Sequence, residues 1–152
     1  MWGAMPRVSK KRSRKVGLPP GALIHIGERK AEEVKITVRN YEERHYEQKS
    51  LKTFEECFVY KGKPTITWIN VDGIHHVETL EKLGECFGLH PLTLEDILNT
   101  DQRPKLEIFD DYIYIVLKVF SYSEQFRDLS VEQISIILGR NFLLSFQEQE
   151  GD

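Results

Sequence analysis

The residues best suited to chemistry in this 152-residue chain are carboxylates on one short helical stretch. Glu95 and Asp96 are adjacent within Leu92-Thr93-Leu94-Glu95-Asp96-Ile97-Leu98, and Asp101 follows just beyond. An α-helix advances about 100° per residue, so Leu94, Ile97 and Leu98 share a buried stripe while Asp96 falls about 150° from its centre. Asp96 is therefore expected to face solvent or another chain, with Glu95 on the shoulder. Oxygen ligands of this kind suit hard cations such as Mg2+ or Ca2+ rather than zinc or copper. Two acids alone make no tight site, and by themselves they read more simply as solvating charges on a helix face.

Other chemistry is harder to find. The chain lacks a phosphate-binding Gly-x-x-x-x-Gly-Lys-Ser/Thr loop, a Gly-x-Gly-x-x-Gly turn, a His-Glu-x-x-His pair and a Gly-x-Ser-x-Gly elbow. His75 and His76 are neighbours, so on a regular element they point in different directions and do not share a metal. Cys57 and Cys86 sit in apolar patterns outside any Cys-x-x-Cys arrangement, which reads as reduced core thiols in a cytosolic compartment. No catalytic residue and no enzyme activity are assigned.

Charge is unevenly placed. Residues 1–27 hold Arg7, Lys10, Lys11, Arg12, Arg14 and Lys15 and no acid, within a total of 21 basic and 24 acidic side chains. The body that follows is acidic and repels phosphate backbones, so only the basic tail, residues 1–16, is able to hold nucleic acid or anionic lipid by charge. The tail reads first as a disordered, solvated terminus. It is no secretory signal, because Val-Gly-Leu-Pro-Pro-Gly after Lys15 interrupts any apolar run. The richest apolar stretch, residues 113–120, is broken by Lys118 and is far shorter than the roughly 20 residues a membrane helix requires.

Gly17-Leu18-Pro19-Pro20-Gly21 reads as a hinge, with one domain occupying residues 17–152. Short strands are expected at 23–26, 34–41 and, as an edge, 44–50. Thr53 and Glu56 form a capping box for a short helix whose Phe54, Cys57 and Phe58 face inward. A strand follows at 65–71, then a helix from Val77 to Phe87 stopped by Gly88, and another opened by Pro91 and running to about Asn99. Residues 101–104 read as loop. About four strands close the chain: 112–122, apolar on both faces and so expected to be covered on both, then 130–139 and 142–147 joined by a hairpin at Gly139-Arg140-Asn141. The expected fold is α/β, a mixed, largely antiparallel sheet of about seven strands with helices on both faces.

The string from Phe87-Gly88-Leu89-His90-Pro91 through Leu94-Glu95-Asp96-Ile97-Leu98-Asn99, then Gln102-Arg103-Pro104-Lys105 and Tyr112-Ile113-Tyr114, resembles the cytoplasmic N-terminal domain of CorA-type Mg2+/Co2+ transporters. The likeness extends from Gly17-Leu18-Pro19-Pro20-Gly21 through Thr67-Trp68-Ile69-Asn70-Val71-Asp72-Gly73 to Phe146-Gln147-Glu148 with Gly151-Asp152. The resemblance implies a homopentamer whose stalk and membrane helices lie outside this chain. This domain then sits at the cytoplasmic face of the cell membrane and reaches the membrane only through the missing C-terminal part. It further implies that Asp96 is the main ligand of a weak regulatory Mg2+, with Co2+ as the alternative ion. Glu95 takes a second nearby position, and the rest of the shell comes from a neighbouring subunit's stalk helix. Competing readings are a zinc-transporting relative and, from another class, a nucleic-acid-binding module using the tail. With an acidic body, no nucleic-acid partner is expected.

Overall fold

Alternating β-branched and aromatic residues build the frame of the molecule, and most of the expected strands form. The structure, a computed structural model, describes residues 18–26, 33–125 and 127–150. The basic segment 1–16, Gly17 and the terminal Gly151 and Asp152 lie outside the described residues. The strands are β1 (Lys35–Tyr41), β2 (Tyr46–Leu51), β3 (Ile66–Asp72), β4 (Lys105–Ile108), β5 (Tyr112–Ser123), β6 (Asp128–Gly139) and β7 (Phe142–Gln147). They form one seven-stranded sheet in the order β2-β1-β3-β7-β6-β5-β4. Every pairing is antiparallel except β3 with β7. The α/β class and the mixed, largely antiparallel sheet are as expected.

One face of this sheet is the core. Val38 pairs with Ile69, Ile69 with Leu144, Leu144 with Ile137 and Ile137 with Tyr114, so five side chains line up across five strands. All five are essentially removed from water. A 3-10 helix (Phe54–Tyr60), α1 (Val77–Phe87) and α2 (Pro91–Leu98) add Phe54, Cys57, Leu80, Leu83, Leu94 and Ile97 to the same cluster. The described helices thus cover one face. The second helical cover that was expected is not supplied by the described residues. There, Leu106, Ile108, Leu117, Val119 and Leu138 remain exposed on the β4–β6 half. On the other half that face is polar, and the Trp68 indole N–H donates to Ser145 Oγ at 2.8 Å.

Three local expectations change. The segment at 23–26 is no strand: Ile26 makes a single parallel bridge to Asn99. The helix after Thr53 is 3-10, and Thr53 makes no side-chain cap. With three residues per turn, Phe54, Cys57 and Tyr60 line up inward and Phe58 turns out to solvent. In β5, Tyr112, Tyr114 and Val116 are buried while Leu117, Val119 and Phe120 are exposed, so the strand is covered on one face, near its start. Its apolar second face carries no described partner.

Burial pushes the Cys57 thiol up to about 12, and it raises the half-buried Cys86 as well. Since only thiolate reacts, at about pH 8 a disulfide reagent should label Cys86 first and Cys57 only on unfolding. Equal labelling rates in the native protein would show that the 3-10 helix opens freely.

Candidate metal-binding site

The Asp96 region is built by pinning both ends of α2 to the sheet. Gly88 ends α1 in the left-handed conformation (φ 69°), and both its N–H and that of Leu89 donate to Gly84 O. The chain can then turn at once into α2, where Pro91 occupies the first turn and His90 Nδ1 accepts the Leu92 N–H. Tyr112 of β5 holds this end: its hydroxyl accepts the His90 N–H at 3.0 Å and bonds Thr93 Oγ1 at 3.0 Å.

The C-terminal end is held by Gln133 of β6, a buried residue. Its amide nitrogen donates to Asp96 O and Asn99 O, carbonyls at the helix end that also accept the backbone N–H groups of Asn99 and Gln102. Its oxygen accepts from the Gln102 N–H (3.1 Å) and Lys118 Nζ (3.1 Å). Lys118 Nζ also reaches Thr100 O at 2.6 Å. A side chain that sequence inspection passes over as an ordinary strand residue thus fixes the backbone of Asp96.

The Asp96 carboxylate does not stand free, which corrects the outward placement expected from the helix geometry. Its side chain is 22% exposed, and both oxygens are engaged within the chain. Oδ1 accepts from Gln102 Nε2 at 2.5 Å and Oδ2 from Lys105 Nζ at 2.6 Å. The helix does turn Asp96 away from Leu94 and Ile97, but edge strand β4 lies alongside and closes over it. Lys105 Nζ also meets Glu107 Oε1 at 2.9 Å and stands 5.4 Å from the Tyr114 ring centre. Burial alone would lower the Lys105 pKa, but the hydrogen bonds to Asp96 and Glu107 outweigh it and hold the ammonium above its usual value.

Glu95 points elsewhere. Residues Pro19 to Ala22 make a turn closed by Ala22 N–H to Pro19 O at 3.2 Å, with Gly21 at φ 85°, the geometry of a type II turn. The freed Gly21 N–H donates to Glu95 Oε2 at 2.7 Å. The segment expected to be a hinge is therefore docked onto α2. The structure brings Asp96 together with Glu107, through Lys105, rather than with Glu95. Glu107 escaped notice because β4 is four residues long and its inward positions are charged.

Asp96 and Glu107 both meet the Lys105 ammonium, and carboxylate oxygens are a ligand type that Mg2+ accepts. The shell is incomplete: among the described residues no group of three or more His, Cys, Asp or Glu is placed to hold a metal. Nor, among them, is any helix long and apolar enough to cross a membrane.

Residues 63–152 match the family model described as "CorA-like Mg2+ transporter protein". The chain is 44% identical over 143 residues to the cobalt/magnesium transport protein CorA of Thermotoga maritima, covering 94% of this chain and 40% of that protein. It is 33% identical over 90 residues to the putative metal ion transporter YfjQ of Bacillus subtilis, covering 58% of this chain and 27% of the relative. The chain thus spans two fifths or less of these relatives. The cytoplasmic domain of ZntB from Vibrio parahaemolyticus shares the fold, with a TM-score of 0.57 at 15% identity over 77% of this chain and 45% of that one. With a family model matching well over half its length, this chain belongs to the CorA-like Mg2+ transporter family.

Proposed function

We propose that this chain is the cytoplasmic regulatory domain of a CorA-type magnesium/cobalt transporter, and that it senses divalent cation at the interfaces between subunits. The observation that carries the reading is the 44% identity over 143 residues to a protein described as a cobalt/magnesium transporter. Asp96 is the principal ligand and Glu95 occupies a second nearby position. Both carboxylates are held by exchangeable hydrogen bonds, from Gln102 and Lys105 on one and from Gly21 on the other.

The domain contributes part of a shell and a neighbouring subunit's stalk helix contributes the rest, in a homopentamer. This division suits a sensor. Detecting a millimolar ion requires a dissociation constant of ~1 mM, about −4 kcal/mol per site. Several such sites with differential affinity shift a gate by an amount on the order of several kcal/mol. Neutralising the facing carboxylates favours the closed assembly, and ion depletion leaves them to repel one another and loosens it. The domain itself carries out no catalysis.

The test uses the whole transporter in membranes. Mg2+ should protect the wild type from proteolysis, and Asp96→Lys should remove most of that protection while increasing ion flux. Unchanged protection in Asp96→Lys would make Asp96 a structural carboxylate and remove it from the sensor. Parallel flux assays with Mg2+, Co2+ and Zn2+ identify the cargo.

A further inference from the structure

Lys105 Nζ holds Asp96 Oδ2, one of the two carboxylate oxygens that a divalent ion would take. In β4, Lys105 and Glu107 alternate onto the core face, opposite Val116 and Tyr114, while Leu106 and Ile108 turn outward. Pointing a lysine inward on an edge strand is a known way to discourage strand addition. Here it does more, because the ammonium meets two carboxylates and an aromatic face at once. Its side chain is 26% exposed and that of Asp96 22%, so the pair is screened less than a surface contact.

We infer that Lys105 is a tethered competitor for the divalent cation at Asp96, a fixed monovalent charge that the ion must displace. The inference rests on the reading of Asp96 as a ligand. Two positive charges a few ångströms apart repel strongly in a partly buried site, so ammonium and divalent ion exclude one another. Because the competitor is covalently attached, its local concentration is constant whatever the salt in solution. It therefore lowers the affinity by a fixed factor and sets the threshold of the sensor.

The residue type fits this role. Lysine is a compact charge on a flexible stem, whereas arginine would grip the carboxylate bidentately and release it less readily. Glu107, 42% exposed, provides a resting place for the displaced ammonium, so only one of its two carboxylate contacts has to break. The backbone of Asp96 stays fixed throughout by Gln133, so the exchange involves side chains alone.

Titration of the 152-residue protein with MgCl2, at ionic strength held constant with KCl and followed through backbone amide resonances near Asp96, tests the inference. Wild type should respond only weakly, above the millimolar range, because the neighbouring subunit's share of the shell is absent. Lys105→Met should bind Mg2+ about fivefold more tightly, the scale set by removing one partly screened ion pair. Lys49→Met, which removes an exposed charge from β2, should leave the affinity unchanged. Asp96→Asn should abolish the response with or without Lys105. An unchanged affinity in Lys105→Met, alongside loss in Asp96→Asn, would overturn the competitor role and leave the ligand assignment standing. A full response in Asp96→Asn would instead overturn the ligand assignment. Lys105→Gln, which keeps a polar group toward Asp96 and Glu107, repeats the measurement if the methionine variant does not fold.

Discussion

Gln133→Leu is expected to be among the most damaging single changes in this domain, lowering stability by about 3 kcal/mol through the loss of four hydrogen bonds from one buried side chain. The native side chain accepts from Gln102 N–H and Lys118 Nζ and donates to two α2 carbonyls, all from a position 2% exposed. Leucine fills the space and satisfies none of these partners. Lys118 keeps Thr100 O, Gln102 N–H keeps Asn99 O, and Asp96 O keeps the Asn99 N–H, which limits the loss. For a domain of this size the melting temperature should fall by roughly 6–12 °C. Because the same side chain holds Asp96 O, the Mg2+ response should weaken even below the melting transition. A fall of less than about 2 °C would mean that water replaces the glutamine readily.

The second large effect is expected at Gly84, where α1 and α2 meet. A Cβ placed there would lie 2.4 Å from Leu94 Cδ1 and 3.2 Å from its Cγ. Leu94 is 6% exposed and packed in the core, so its terminal methyls have little room to retreat. Gly84→Val should cost about 1–3 kcal/mol by overpacking, since the branched side chain also stiffens against its own helix. Leu94→Ala alone should cost about 2–5 kcal/mol. In the double variant the costs should fall well short of additive, because the valine grows into space the leucine has left. Strict additivity in denaturant titrations would show that the two positions relax independently.

Much of the frame was legible because its signals are local. Gly88, Pro91 and the spacing of Leu80, Leu83 and Phe87 mark two helices, and the alternation of Ile36 and Val38 marks a half-buried strand. The 3-10 helix was misjudged by applying a period of 3.6 where the chain uses three. β5 misled differently: apolar residues on both faces signal that both are to be covered, but not by what. The site was legible only in part. Helical geometry turned Asp96 away from the core stripe, yet it contains no information about a strand nine residues later whose lysine closes over the carboxylate. Likewise the bond from Gly21 to Glu95 joins residues 74 positions apart, and no local pattern announces it.

The place of β7 has a consequence for how the polypeptide assembles. Two antiparallel three-stranded units, β2-β1-β3 and β6-β5-β4, touch through this one strand, the last of the seven to be made. A nascent chain leaving the ribosome therefore carries two half-sheets with an open seam between them until residues 142–147 emerge. Long-range parallel pairing is slow to form, and unpaired strand borders invite association with other chains in the meantime. Synthesis that stalls shortly before Phe142 should be the moment of greatest need for a chaperone.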